Sequence, residues 1–407
     1  MPMELWKKNL YVLWVGTFIA GMSFSLVMPF LPQLLEEVGV DEGLAFWSGL
    51  AFSVSFIVSA VMAPIWGSLA DKYGRKVMII RSGFGMALVY LLMSFATNLW
   101  QILVLRMLNG FVSGFIPAST ALMACSTPDE NLGPSLGVLQ TGGAFGNIMG
   151  PLLGGVLSYY LGIQQTLLLA AATLTFATGI VIFGVKEIAA KDKSRKTDFV
   201  ADFKAVLANN TLLMMLFTVL LFQCSVSFIQ PILPLYVQAI FGDGDASIVT
   251  GVIFSLVGIA TVIAAPIWGR RGQQRGYKSI IMIGLLGSGG FALLHALTAN
   301  LWLLGILRFA FGIFLAALMP GSNAIIARTV GPEFRGRAFG FSSSAAQLGF
   351  FIGPLTGGVV GQFLGLNMVF VFTAVLLFGT AAFLWNKSLA TSPPTLDDVK
   401  KALEDRC

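Results

Sequence analysis

Apolar runs of roughly twenty residues, the length an α-helix needs to cross a bilayer, recur along the whole chain between short polar stretches. The pattern predicts an all-α membrane protein with twelve transmembrane helices. The predicted spans are 10–33, 45–69, 77–96, 101–124, 136–159, 164–185, 211–235, 248–269, 279–297, 301–326, 338–361 and 366–385.

The pattern occurs twice. Residues 63–67 read APIWG and return at 265–269, and NLW at 98–100 returns at 300–302. This periodicity predicts two six-helix halves of like orientation, related by an axis along the membrane normal. We divide the chain into an N-terminal bundle at 1–185, a linker at 186–210, a C-terminal bundle at 211–386 and a tail at 387–407.

Charge separates the two sides of the predicted membrane. Six alternate loops contain no Lys or Arg. Two of these loops contain acidic residues instead: Glu36, Glu37, Asp41, Glu42, Asp243 and Asp245. Because positively charged loops stay in the cytoplasm, we expect both termini there and a multi-pass protein of the cytoplasmic membrane. The net charge of +6 is then a topology signal, and we expect no nucleic-acid binding.

Composition excludes an ordinary soluble protein, since 56% of residues are hydrophobic and 11% charged, against about a quarter charged in soluble chains. No metal-ligand cluster, phosphate-binding loop or catalytic triad is present, so we expect neither enzymatic activity nor a cofactor. The cysteines have no framework spacing and are expected to be free thiols: Cys125, Cys224 and Cys407. We expect a monomer whose partners are a small-molecule substrate, protons and membrane lipids.

A charged loop with fixed glycine positions follows the second span. Its residues are Gly67, Asp71, Gly74, Arg75 and Lys76. Glycine at position 74 suits a reversal that needs positive φ. The loop resembles the signature loop of the major facilitator superfamily, and the twofold repeat agrees with that resemblance.

The resemblance implies a conformational latch between the halves. The Asp71 carboxylate would contact the N-terminus of span eleven near residues 336–340, because the positive end of a helix dipole favours a carboxylate. The alternative is that Asp71 only balances Lys72 and Arg75. Gln273 stands at the corresponding place in the second half.

Span five contains a row of glycines followed by a proline. The row consists of Gly142, Gly146, Gly150, Pro151, Gly154 and Gly155. Glycine at every fourth position gives a smooth helix face, and proline permits a bend. The row resembles the motif that marks exporters within the superfamily. The alternative is generic packing of small residues.

Two arginines, Arg106 and Arg308, lie well inside predicted spans at corresponding positions. Buried charge is costly and usually functional, and Arg106 resembles the arginine that drug exporters of the family carry in span four. Alternatively, both side chains reach outward to the headgroups. We expect His295 to be an interface residue rather than a proton carrier.

Polar residues on apolar spans are candidates for a substrate cavity. They are Asn109, Gln140, Asn147, Gln223, Ser227, Gln230, Asn323 and Gln347. Candidate apolar walls are Phe24, Met28, Phe311, Phe314 and Phe350. Helix–helix packing is the alternative for each of them. All 19 carboxylates lie in loops or tails, which leaves the proton site open and disfavours a cavity for lipophilic cations.

The chain is most similar to the drug/proton antiporters of the superfamily, near its MdtG-like group, in the segment 25–32 (SLVMPFLP). The resemblance implies export of small amphiphilic compounds by proton-coupled alternating access. The alternatives are a metabolite or sugar exporter, a lipid or lysolipid flippase, and a receptor or scaffold that transports nothing.

Overall fold

A computed structural model describes residues 4–187, 199–331 and 334–385. In this part of the chain the helices are α1 Leu5–Val27, α2 Leu31–Glu37, α3 Leu44–Tyr73, α4 Arg75–Met93, α5 Leu99–Val112, α6 Phe115–Ser126, α7 Asp129–Leu161, α8 Ile163–Gly184, α9 Phe199–Ala208, α10 Asn210–Phe228, α11 Leu233–Phe241, α12 Ser247–Arg275, α13 Tyr277–Ala296, α14 Leu301–Leu315, α15 Leu318–Thr329, α16 Arg335–Leu364 and α17 Leu366–Trp385.

Four predicted spans are each built from two helices. A 3-10 turn at Met28–Phe30, which contains a proline, separates α1 from α2. Spans four, seven and ten are interrupted between α5 and α6, α10 and α11, and α14 and α15. Gly114, with φ of 128°, makes the first of these breaks. Proline interrupts an α-helix because it lacks the backbone N–H that donates a helical hydrogen bond. Glycine interrupts it where the residue adopts a positive φ, outside the right-handed helical region.

Ten of the twelve spans are long and apolar enough to cross a membrane. The other two, α7 and α16, have 33 and 30 residues, but their glycine-rich sequences are less apolar. Within the predicted linker, residues 199–208 form α9. Residues 188–198 and the predicted tail 387–407 lie outside the described residues.

Each half has its own hydrophobic core. Residues between Leu10 and Val185 form one core. Residues between Val206 and Leu384 form the other, joined by Ala45 of α3. Close contacts between the halves involve two antiparallel pairs of long helices, α3 with α16 and α7 with α12. We call their common boundary the seam, the end that holds Asp41 and Asp243 the acidic end, and the end that holds Arg75 and Arg335 the basic end.

Candidate functional site

The halves meet through glycine backbones at the acidic end of the seam. A Cβ atom on Gly49 of α3 would overlap the carbonyl oxygen of Pro354 in α16. A Cβ atom on Gly251 of α12 would overlap the carbonyl oxygen of Pro151 in α7. These residues occupy corresponding positions of the repeat, so the two contacts are related by the pseudo-twofold axis. Glycine permits this approach because it has no side chain.

Hydrogen bonds join the halves at the same level. The Oε1 atom of Gln33 accepts bonds from Ser158 Oγ at 2.8 Å and from Ser247 Oγ, across the seam, at 3.2 Å. Ser255 Oγ donates to the carbonyl oxygen of Ile148, also across the seam, at 2.8 Å. The three serines are buried. The acidic end is therefore closed.

A row of three phenylalanines, two from the N-terminal half and one from the C-terminal half, spans the seam on the basic side of this closure. Phe24 of α1 meets Phe56 of α3 edge-on, with 6.4 Å between ring centroids. Phe56 stacks on Phe350 of α16 at 5.0 Å, with 13° between the ring planes. Phe24 and Phe350 were predicted as cavity walls from the sequence. Phe56 was not, because one phenylalanine in an apolar span carries no distinguishing signal.

The basic ends of the halves are separated. The Asp71 side chain is 71% exposed, and within the described part of the chain its ion pair is with Arg75, at 2.9 Å. A Cβ atom added to Gly67 or to Gly336 would meet nothing within 4 Å. The predicted contact between Asp71 and the start of α16 is not formed in this conformation.

The signature loop is held from within its own half. Gly74 has φ of 98° and separates α3 from α4, as the sequence predicts. The Glu187 carboxylate accepts hydrogen bonds from the backbone N–H groups of Arg75, at 2.7 Å, and Lys76, at 3.1 Å. Lys76 Nζ donates to the carbonyl oxygen of Ile182 at 2.7 Å. Sequence reasoning missed Glu187, which caps α4 from the start of the linker.

The glycine row of span five has two different faces. A Cβ atom on Gly142 would meet the Trp14 carbonyl oxygen at 2.7 Å, and one on Gly150 would meet that of Met22 at 2.6 Å. Gly146 and Gly154 make the same kind of contact with α1. Pro151 and Gly155 instead face α12, across the seam. One face therefore builds the N-terminal half, and the other forms part of the closure.

Arg106 is fully buried in the N-terminal half. Its Nε donates to the Ala51 carbonyl oxygen at 2.9 Å, and its Nη2 lies 3.5 Å from the Met28 sulfur. Among the described residues its Nη1 has no partner, nor do Asn109 Nδ2 and Tyr90 Oη, all of them buried. The guanidinium thus lies between the turn after α1 and the helices α3 and α5, and it does not extend to the headgroups.

Comparison with known proteins identifies the family. The family model described as Major Facilitator Superfamily matches residues 13–252 and 215–404. The chain belongs to the major facilitator superfamily. It is 38% identical over 388 residues to the multidrug resistance protein MdtG of Proteus mirabilis, covering 93% of this chain and 96% of that protein. The MdtG protein of Salmonella typhimurium is 37% identical over 385 residues, covering 94% and 95%.

Solved structures of other major facilitators share the fold. A bacterial homolog of the human lysosomal transporter Spinster, in an inward-facing and unoccupied conformation, has a TM-score of 0.78 at 15% identity and covers 100% of this chain and 99% of its own. The human organic anion transporter MFSD10 has a TM-score of 0.70 at 19% identity and covers 94% and 100%. The family and these structures confirm the predicted all-α major facilitator fold, and the chain is a multi-pass membrane protein.

The second intramembrane arginine of this major facilitator has aromatic neighbours. Arg308 is 6% exposed, and its guanidinium carbon lies 5.6 Å from the Phe311 ring centroid. His295 is fully buried between Phe311 and Phe370, with no hydrogen-bond partner for its ring nitrogens among the described residues. Phe314 packs on Phe291. In this conformation Phe311 is buried in the packing of the C-terminal half, whereas Phe314 is half-buried.

The remaining cavity candidates fall into three groups. Gln140 and Asn147 are exposed on α7. Gln223 and Ser227 of α10 are buried, and Ser227 Oγ contacts the Gly349 carbonyl oxygen of α16 at 3.1 Å. The half-buried candidates are Gln230, Asn323 and Gln347. Cys125 and Cys224 are free thiols, as predicted, and Cys407 lies outside the described residues.

Sequence reasoning also missed a third intramembrane arginine. Arg81 is the seventh residue of α4. Its guanidinium carbon stacks 3.5 Å from the Trp66 ring centroid, and its Nη2 donates to the Ser113 carbonyl oxygen at 3.0 Å. Ser113 precedes the break at Gly114, so Arg81 braces the interruption of span four. The position of Arg81 inside the predicted span 77–96 was the sequence signal that could have identified it.

Replacing Asp71 by asparagine should leave insertion and stability close to normal while strongly reducing transport. The exposed pair with Arg75 contributes only about 0–1 kcal/mol, so the fold should tolerate the change, and the loss of transport would come from the predicted contact with the start of α16. Transport rate and thermal midpoint of the purified variant are the measurements. Asp243→Asn at the acidic end is the matched control. Full transport by Asp71→Asn would exclude the latch.

Proposed function

We propose that this protein is a secondary transporter that exports small amphiphilic compounds, drugs among them, by proton-coupled alternating access. The observation that carries the proposal is the seam, which is closed through glycine backbones at one end and separated at the other. Rocking the halves about the seam would exchange the two states. The MdtG relatives, named as multidrug resistance proteins, suggest the class of cargo.

The basic end would face the cytoplasm, with both termini there, in the cytoplasmic (inner) membrane. The loops at the acidic end contain no Lys or Arg, and positive charge is retained inside. This conformation would then be open to the cytoplasm and ready to take up cargo. The N-terminal bundle, 1–185, and the C-terminal bundle, 211–386, would move relative to each other as two units joined by the linker at 186–210.

A cysteine near Asp243, in a background without Cys125, Cys224 and Cys407, should react with a membrane-impermeant thiol reagent added to intact cells. The reason is that the acidic end would face the cell exterior. A cysteine near Gln274 of the basic end is the matched control and should react only in inverted vesicles. Labelling in the opposite pattern would reverse the proposed orientation.

The buried arginines suggest which substrates are preferred. Within the described part of the chain, Arg106 and Arg308 lie inside spans without an acidic partner, and Arg106 Nη1 has no hydrogen-bond partner. A substrate carboxylate that reached Arg106 would gain a charge-assisted hydrogen bond. We therefore propose a preference for anionic or zwitterionic amphiphiles. The proton could travel with the substrate's own carboxylate, through Asp71, or along water.

The test is export of a compound panel from proteoliposomes with an imposed proton gradient. We expect amphiphilic drugs to leave faster with the gradient than after a protonophore dissipates it. Competition by a sugar or a lysolipid would support the exporter or flippase alternatives instead. Absence of transport for every compound would support a receptor or scaffold and overturn the proposal.

A further inference from the structure

The charges at the basic ends of the four seam helices differ between the two halves. In one pair, the last turn of α3 contains the carboxylate of Asp71 beside Lys72, and the first turn of α16 contains Arg335 and Arg337 but no acid. In the other pair, the first turn of α7 contains Glu130 directly after Asp129, and the last turns of α12 contain arginines and Gln273 but no acid. The polarity of the second pair is therefore reversed.

Helix register shows which residues would meet if the basic ends closed. In antiparallel helices, residues equally far from an existing contact lie opposite each other. Phe56 of α3 contacts Phe350 of α16. Asp71 lies fifteen residues after Phe56, and Arg335 lies fifteen residues before Phe350. This register places Asp71 at the first turn of α16, as the latch requires.

The same construction applies to the second pair. Gly258 of α12 packs against Ile148 of α7, and this contact corresponds to the stacked phenylalanines of the first pair. Gln273 lies fifteen residues after Gly258, and Glu130 lies eighteen residues before Ile148. The two counts differ by less than one helical turn, so the two residues would lie nearly opposite each other. Eighteen residues are about five helical turns, so Glu130 shares the seam face of Ile148.

We propose that Gln273 and Glu130 form a second latch, of reversed polarity, when the basic ends close. The Gln273 amide would donate to the Glu130 carboxylate, with the exposed Arg270 one turn away adding positive charge. Glu130 stays at a helix N-terminus, where a carboxylate is favoured. An aspartate at 273, as in the first half, would face Glu130 and repel it. The inference rests on the proposed alternating access and goes beyond the Asp71 latch.

Spin labels on the basic ends test the latch without any substrate. Labels at two exposed positions, Lys72 of α3 and Arg328 of α15, report the distance between the halves in detergent or nanodiscs. The wild type should show a short-distance population, and Gln273→Asp should reduce it at least about fivefold, the low end of ordinary coupling energies. Gln274→Asp is the matched control, because residue 274 lies one step around the helix, away from the seam, and is exposed.

A double variant distinguishes a specific contact between residues 273 and 130 from a general loss of structure. Gln273→Asp combined with Glu130→Lys restores attraction with the polarity of the first latch, and should recover the short-distance population. Equal populations in wild type and Gln273→Asp, or no recovery in the double variant, would overturn the second latch alone. A wild type in which the basic ends never approach would overturn alternating access itself, and the latch with it.

Discussion

Replacing Gly49 or Gly251 by leucine should hold the acidic end open and remove most of the transport activity. Each glycine touches a carbonyl oxygen of the other half, so a side chain there is accommodated only when the halves separate. Overpacking costs about 1–3 kcal/mol, and a bias of that size shifts a two-state equilibrium roughly five- to 150-fold. The closed acidic end should become the minor state.

A cysteine at Ser255 measures this shift. Ser255 is buried in the seam, so Ser255→Cys should be protected from an impermeant thiol reagent in the parent and reactive in the leucine variants. Gly179→Leu is the matched control, because a Cβ atom on Gly179 meets nothing within 4 Å. Normal transport and continued protection in Gly49→Leu would show that the glycine contacts do not gate the acidic end.

The outcome should differ for Gly146, which faces α1 inside the N-terminal half. Leucine at this position displaces a helix that every conformation needs. We therefore expect loss of folded protein for Gly146→Leu, in contrast to the folded but inactive Gly49→Leu. Gly146→Leu on the α1 face, compared with Gly251→Leu opposite Pro151, separates the two faces of the exporter motif experimentally.

Replacing Arg106 by lysine should lower transport about tenfold or more. The guanidinium bonds the Ala51 carbonyl oxygen of α3 and the Met28 sulfur of the turn after α1 in different directions. An ammonium group on a flexible stem cannot reproduce that planar fork. A hydrogen bond to a charged group contributes about 1.5–3 kcal/mol, and 1.4 kcal/mol is a factor of ten. Transport rate and thermal midpoint of Arg106→Lys are the measurements.

Matched substrates then test whether Arg106 also selects cargo. Export of anionic, zwitterionic and quaternary-ammonium forms of one amphiphile should follow that order in the wild type, and the order should weaken in Arg106→Lys. Arg308→Lys, the change at the corresponding position of the other half, shows whether the second arginine contributes to the same order. Efficient export of the quaternary form, with Arg106→Lys unaffected, would contradict the proposed preference.

The repeat made most of the fold predictable from the sequence. Corresponding phrases at 63–67 and 265–269 located α3 and α12 better than hydropathy alone, and the spacing of Gly74 predicted the reversal after α3. Hydropathy could not predict the interruptions of spans four and ten, because it averages over the residues at a break. The separation of α5 from α6 depends on Gly114, a single residue.

The candidate site was harder to predict because side-chain direction depends on neighbouring helices. Arg106 was correctly placed inside a span, but its burial between the turn after α1 and the helices α3 and α5 follows from packing that no single-sequence signal reports. The glycine row was read as one face, whereas Pro151 and Gly155 lie on another. Glu187 was assigned to the linker, and its bonds to the start of α4 are long-range contacts.

The length of the seam helices has a mechanical consequence. At 29 to 33 residues and 1.5 Å per residue, each is about 45 Å long and exceeds the hydrocarbon core of about 30 Å. Each helix therefore reaches both ends of the seam and would act as a lever under the proposed alternating access, so that separating one end brings the other end together.

A pore open at both ends, through which ions would leak, requires the levers to bend. Proline is where a long helix bends most easily. All four seam helices contain at least one: Pro64 in α3, Pro134 and Pro151 in α7, Pro266 in α12 and Pro354 in α16. Under the proposed alternating access, the stiffness of the seam helices around these prolines would set how tightly export is protected from leakage.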